Sequence, residues 1–230
     1  MKYMRQILKF NPRYFGLLWA FLALSLFAVI LTFYRVYDTG SWQYWFLIWN
    51  LFLAWLPLIF AYILCAKGGS KSFLAWPNFL LFLLWLVFLP NTFYIITDYV
   101  HLSVFSNIGM IYDIVLFGTY AIAGMILGFT SLLLIHLRAK RLYKQRAIYI
   151  VGIALFLSGF AIYLGRYLRW NSWDIITNPF GLIFDVSDRV INPSAHPLTF
   201  ATTLLFFAFL SVIYYVIYQA VLLLQNSKNK

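Results

Sequence analysis

Six long apolar runs decide most of what this chain can be. They cover roughly residues 14–34, 43–65, 73–96, 111–135, 147–167 and 198–224, and a helix needs about 20 apolar residues to cross a bilayer. Barrel strands are excluded, because those are short and alternate in polarity, whereas these runs are long and evenly apolar. The predicted fold class is therefore all-α: a polytopic membrane protein with six transmembrane helices, organised as one integral membrane domain over 1–230. Connections are short except for 168–197, which is expected to carry a short interfacial helix.

Composition closes the other routes. The chain is 64% hydrophobic and only 10% charged, against about 25% charged in an ordinary soluble domain. A soluble enzyme, a disordered chain and a secreted disulfide scaffold are ruled out; the single cysteine, Cys65, has no partner in the chain. The net charge of +11 would suggest nucleic acid in a soluble protein. Here the cations flank apolar runs, so topology accounts for them, membrane lipids are the expected partners, and no protein partner can be read.

Orientation follows from Lys and Arg. With the N-terminus in the cytoplasm, Lys2, Arg5, Lys9, Arg13, Lys67, Lys71, Arg138, Lys140, Arg141, Lys144, Arg146, Lys228 and Lys230 fall inside, and only Arg35, Arg166, Arg169 and Arg189 fall outside. Both termini are predicted to be cytoplasmic, in the cell membrane. The first run is read as an uncleaved span, since no small-x-small cleavage pattern follows it. Asp38, Asp98, Asp113, Asp174, Asp185 and Asp188, which are all the acids of the chain, fall on the outer side. Candidate chemistry is therefore sought on the extracytoplasmic face.

Three outer segments carry it. In LPNTFYIITDYVHL (89–102), Pro90 should kink the third span, with Asn91, Thr92 and Thr97 around the break. Asp98 and His101 follow at i, i+3, one helix face apart, as an acid–imidazole or metal pair requires. A frayed, capped helix end explains the same residues. Asp113 opens the fourth span, where an ionisable group is a functional hypothesis by default; a favourable place in the helix dipole is the alternative. In GRYLRWNSWDIITNP (165–179), Arg166 and Arg169 are also i, i+3, and two guanidiniums on one face suit phosphate or carboxylate. Trp170 and Trp173 can stack on a sugar or cation, and Asn171, Ser172, Asp174 and Asn178 complete the polar set. Interfacial anchoring explains the tryptophans equally well. Gly124 and Gly128 form a small-xxx-small pair for close helix packing. In PFGLIFDVSDRVI (179–191), Asp185 and Arg189 are an i, i+4 pair on a helix expected to lie on the membrane surface with its charges solvated. His196 carries no assignment.

Two of these stretches, with Tyr112-Asp113, resemble an uncharacterised family of bacterial integral membrane proteins, the domain-of-unknown-function 1361 family. The likeness rests on Pro90, Asn91, Tyr94, Thr97, Asp98, His101, Asp113, Arg166, Arg169, Trp170, Asn171, Trp173, Asp174, Asn178 and Pro179, and runs from the second span to the sixth. It implies no activity.

The expected site is an outward-facing polar pocket. Arg166 and Arg169, with Trp170, Asn171, Trp173, Asn91 and Asn178, would bind a phosphate-bearing lipid or lipid-linked substrate. Asp98, His101, Asp113 and Asp174 would be the acid–base set. Asp98, His101 and Asp113 could instead hold a divalent metal, with Zn, Mn and Mg suited about equally by oxygen and nitrogen donors. Whether the protein is an enzyme is left open. The rivals are an ion- or proton-coupled transporter or channel, and a non-catalytic protein whose polar network locks the helices.

Overall fold

The computed structural model describes residues 12–66, 72–73, 75–102 and 109–227. Of the cations used for orientation, Lys2, Arg5, Lys9, Lys67, Lys71, Lys228 and Lys230 lie outside the described residues. The elements are α1 (Pro12–Thr39), α2 (Trp45–Ala66), α3 (Asn78–Tyr94), a 3-10 segment (Ile95–His101), α4 (Met110–Tyr143), a 3-10 turn (Lys144–Arg146), α5 (Ala147–Tyr167), α6 (Asp174–Thr177), α7 (Pro179–Ile191), a 3-10 turn (Pro193–Ala195) and α8 (Pro197–Ser227). No strand occurs among the described residues.

Five stretches are long and apolar enough to cross a membrane: Gly16–Thr39, Trp45–Ala66, Asn78–His101, Met110–Tyr167 and Pro197–Gln225. Six runs were expected. The difference lies in Met110–Tyr167, where the fourth and fifth runs form one 58-residue stretch. The basic segment that separates them in hydropathy, His136–Arg146, contains neither Gly nor Pro. Arg, Lys, Leu and Ala are good helix formers, so helix persists through the charges to Tyr143 and a turn follows at Lys144, held at φ +54°.

The chain divides into two compact units, Met1–Arg138 and Ala139–Lys230. In the first unit, α2 and α3 pair along their length, and side chains tie the other helices in. Thr32 Oγ1 lies 2.8 Å from Tyr120 Oη, and the Tyr112 hydroxyl donates to the Leu31 carbonyl at 2.7 Å. The Trp55 indole donates to Ser25 at 3.1 Å, and the Trp85 indole to Ser131 at 3.3 Å. Hydrogen bonds of this kind hold helices together where lipid removes the hydrophobic driving force. The small-residue expectation also holds. A Cβ on Gly128 would meet the Thr92 side chain, and one on Gly124 the Thr92 carbonyl. Near the other end of α4, Arg138 donates to the Leu64 carbonyl in the last turn of α2, a favourable place for a cation in the helix dipole.

In the second unit, α5 and α8 pair through Gly159, where a Cβ would lie 2.6 Å from the Thr203 carbonyl oxygen. The short helices α6 and α7 occupy the connection between them.

Pro90 does not break α3. The helix runs past it to Tyr94 and only then tightens into 3-10 geometry. The nearby polar side chains turn onto their own helix: Asn91 Nδ2 donates to Phe88 O at 3.1 Å, Thr92 Oγ1 to Leu89 O at 2.7 Å and Thr97 Oγ1 to Tyr94 O at 2.6 Å.

Candidate functional site

The first unit holds a buried polar centre around Asp113. Asp113 lies in the first turn of α4, where the unsatisfied N–H groups favour an anion. That position alone would not offset burying a carboxylate in an apolar bundle. Arg35, near the end of α1, supplies the charge: Nε lies 2.8 Å from Asp113 Oδ1 and Nη2 lies 3.3 Å from Oδ2. Arg35 is 4% exposed and Asp113 is fully buried. Two parallel bonds from a planar fork to a carboxylate are the strongest form of ion pair.

Tyr44, just before α2, closes the pair. The Arg35 guanidinium carbon sits 3.9 Å from the centre of the Tyr44 ring, a cation–π distance. The Tyr44 hydroxyl lies 3.5 Å from Asp113 Oδ2 and 3.3 Å from the His101 carbonyl oxygen. Thr39 Oγ1 accepts from Arg35 Nη1 at 3.4 Å. The centre thus gathers α1, the start of α2, the 3-10 segment and α4.

Asp98 and His101 both lie in the 3-10 segment, where residues three apart fall on one face. Asp98 is buried and accepts from Asn50 Nδ2 of α2 at 2.8 Å. His101 is exposed, its ring edge-on to Phe46 at 5.3 Å. Among the described residues no group of three or more His, Cys, Asp or Glu side chains could hold a metal ion. The metal set of Asp98, His101 and Asp113 is therefore not assembled: Asp113 turns its oxygens to Arg35, Asp98 turns to Asn50, and the His101 ring turns to Phe46.

In the second unit, the 165–179 stretch is a tight exit from α5. The helix ends at Tyr167, so Arg166 and Arg169 do not share a helical face as expected. The Leu164 carbonyl accepts from both Leu168 N at 3.1 Å and Trp170 N at 3.2 Å, and this wrap requires a left-handed residue at Arg169, with φ +60°. Glycine is the usual occupant of such a position; a side chain there is strained. Arg169 is exposed, and its guanidinium makes no hydrogen bond or ion pair among the described residues. Arg166 is half-buried and engaged.

The neighbours of Arg169 have local duties. Asp174 accepts from Asn171 N at 2.7 Å and from Thr177 Oγ1 at 3.0 Å, closing the α6 turn. Asn178 caps α7 by accepting from Gly181 N at 3.1 Å. Trp173 is exposed, and the Trp170 indole donates to Asp185 Oδ2 at 2.7 Å. Asp174 and Asn178 thus act as turn and helix caps.

Of the α7 charges, Asp185 and Asp188 are partly exposed, whereas Arg189 is buried and not solvated as expected. Arg189 is 8% exposed, with Nη1 at 2.8 Å from the Asp185 carbonyl, 3.3 Å from Asp185 Oδ1 and 3.7 Å from Asp188 Oδ2. His196 Nε2 lies 2.7 Å from Asp188 Oδ2, and Asn192 Nδ2 donates to Asp188 Oδ1 at 2.8 Å. The hydrogen bond from Asn192, and then that from His196, hold the Asp188 carboxyl below its ordinary range.

Arg35, Tyr44, Asn50 and the Asp188–His196 contact escaped the sequence reading. Arg35 had a signal: a buried Asp in an apolar run needs a cation, and the acid-bearing segments offer four arginines. Tyr44 and Asn50 had none. One apolar depression is lined by Trp42, Trp45, Ile48, Trp49 and Phe52, and no expected site residue lies in its wall.

The family model described as protein of unknown function (DUF1361) matches residues 49–223. The chain belongs to that family. The matched segment runs from the first helical turn of α2 into the last part of α8, so it includes Asp98, Asp113, Arg169 and Asp188 and leaves out Arg35 and Tyr44. No curated protein and no solved structure matches the chain.

Proposed function

We propose that this chain is a six-span protein of the cell membrane, with both termini cytoplasmic, that binds the anionic headgroup of a lipid or lipid-linked substrate at its extracytoplasmic face. The span count rests on length. The 58 residues of Met110–Tyr167 rise about 87 Å if helical, nearly three times the roughly 30 Å hydrocarbon core. Two crossings with the turn Lys144–Arg146 between them fit that length, and the positive-inside rule favours a cytoplasmic place for that turn and the basic residues around it.

The observation that carries the binding reading is Arg169. Of the four arginines on the acid-bearing side, Arg35 is held by Asp113 and Arg189 by Asp185 and Asp188, and Arg166 is engaged. Arg169 presents an exposed guanidinium with no partner among the described residues, from a backbone conformation that glycine would take without strain. Strain retained at such a residue favours a role for its side chain, and a guanidinium suits a phosphate oxygen fork. Exposed Asn171 and Trp173 stand beside it in sequence.

The test is native mass spectrometry of the protein in nanodiscs containing phosphatidylglycerol or phosphatidylcholine, wild type beside Arg169→Gly. Preferential retention of phosphatidylglycerol by wild type, lost in the variant, supports the reading. Equal retention by both proteins overturns it.

A second reading concerns the first unit. The bidentate Arg35–Asp113 pair, closed by Tyr44 and without solvent exposure, favours a lock between helices over a proton- or ion-relaying acid. Asp113→Asn is then expected to lower thermal stability in detergent; loss of an ion flux at unchanged stability would favour the transporter class instead.

A further inference from the structure

Helix α7 is amphipathic in the inverted sense. Phe180, Ile183, Phe184, Ser187 and Ile191 follow i, i+3, i+4, i+7 and i+11 spacing and mark one side. On that side Phe180 is 84% exposed, Phe184 72% and Ile191 74%, whereas Arg189, on the opposite side, is 8% exposed. A surface helix of a water-soluble protein covers its apolar stripe and exposes its charges. Here the charges are engaged largely by protein groups, with Asp185 and Asp188 still partly exposed. Asp185 takes the Trp170 indole and Arg189, and Asp188 takes Asn192 and His196. Turning the helix over would strip the Trp170 bond to Asp185 and the His196 contact to Asp188, which come from outside α7, and would lift Arg189 out of its buried position.

We infer that the exposed side of α7 is seated among the acyl chains of the bilayer leaflet, so that the helix is sunk into the membrane rather than laid on its surface with its charges in water. Thirteen residues rise about 20 Å, too short to span the roughly 30 Å core, which confines α7 to one leaflet. The lipid is named as occupant because α7 is joined through one short turn to a helix whose exposed apolar side chains, once it spans, have lipid as their solvent. α8 begins at Pro197, directly after the Pro193–Ala195 turn, and is itself long and apolar enough to cross a membrane. Leu198, Leu204 and Leu205 on it are exposed in the same way as the α7 stripe. No charged side chain interrupts the α7 stripe, as acyl chains require and as water would not. The inference is independent of the Arg169 headgroup reading, since it needs only that α8 spans the membrane.

Wild-type protein reconstituted with phosphatidylcholine carrying a diazirine in its acyl chain tests it without any substitution. Photolysis is expected to label the 178–191 peptide as well as the α8 peptide containing Leu204 and Leu205. Labelling of α8 with none on 178–191 overturns the inference. Nitroxide scanning over 180–191 in a Cys65→Ser background adds the periodicity. At 180, 184 and 191 collisions with oxygen are expected to exceed those with a water-soluble nickel chelate. Excess collisions with nickel would mean that the stripe faces water, and low collisions with both would mean that a second copy or another protein covers it. Either result overturns the inference.

Discussion

The Arg35 Nε sits 2.8 Å from Asp113 Oδ1, in a pair that joins the end of α1 to the first turn of α4. Breaking such a pair from one side leaves an uncompensated buried charge, which costs about 3–5 kcal/mol. Arg35→Ala and Asp113→Ala should each lose stability on that scale, and Arg35→Met combined with Asp113→Leu should recover much of it. A double-mutant cycle on denaturation in mixed micelles reads the coupling. Additive losses would mean that the pair contributes nothing as a pair.

Close approach of α3 and α4 at Gly124 leaves no room for a methyl group, because the obstacle is the backbone carbonyl of Thr92. Gly124→Ala should destabilise by about 1–3 kcal/mol through overpacking. Gly152 on α5 meets nothing within 4 Å, so Gly152→Ala should be neutral or slightly stabilising through helix propensity. Melting temperatures of the two variants side by side check the contrast.

Arg169 offers a separation of stability from binding. Relief of the left-handed strain is worth about 1–2 kcal/mol, set against about 0.5–1 kcal/mol for the greater freedom of an unfolded glycine. Arg169→Gly should therefore fold at least as stably as wild type while losing its preference for anionic lipid. A variant that loses both stability and lipid would show that the guanidinium holds the fold.

The depressed carboxyl of Asp188 sets a direction for acid sensitivity. A group whose folded pKa is lowered contributes stability above its unfolded value, near the ordinary 3.8, and that contribution is lost as pH falls through the folded value. The α7–α8 corner should therefore be indifferent to acidification from pH 7 to 5 on account of Asp188. Asn192→Ala removes the leading cause and should move the Asp188 midpoint up toward the ordinary carboxylate range. Carboxyl carbon NMR of Asp-labelled protein reads the midpoint directly.

The sequence by itself determined that the chain is helical and membrane-embedded, because runs of spanning length with so few charges have no other stable home. It also marked Asp113, Arg169 and the Gly124–Gly128 pair as positions under constraint, since an acid in an apolar run, a dense polar turn between spans and a small-residue spacing are local patterns. It missed the helix through 136–143, because charge interrupts hydropathy without interrupting backbone hydrogen bonding. It missed Arg35 opposite Asp113 and Asn50 beside Asp98, because partners 78 and 48 residues apart are joined only when helices pack. Tertiary structure alone decided that Asp113 goes to Arg35 and Asp98 to Asn50, that Arg169 leaves the helix in a left-handed turn, and that α7 buries Arg189. Each depends on which side chain satisfies a buried polar group, and that choice is made by packing.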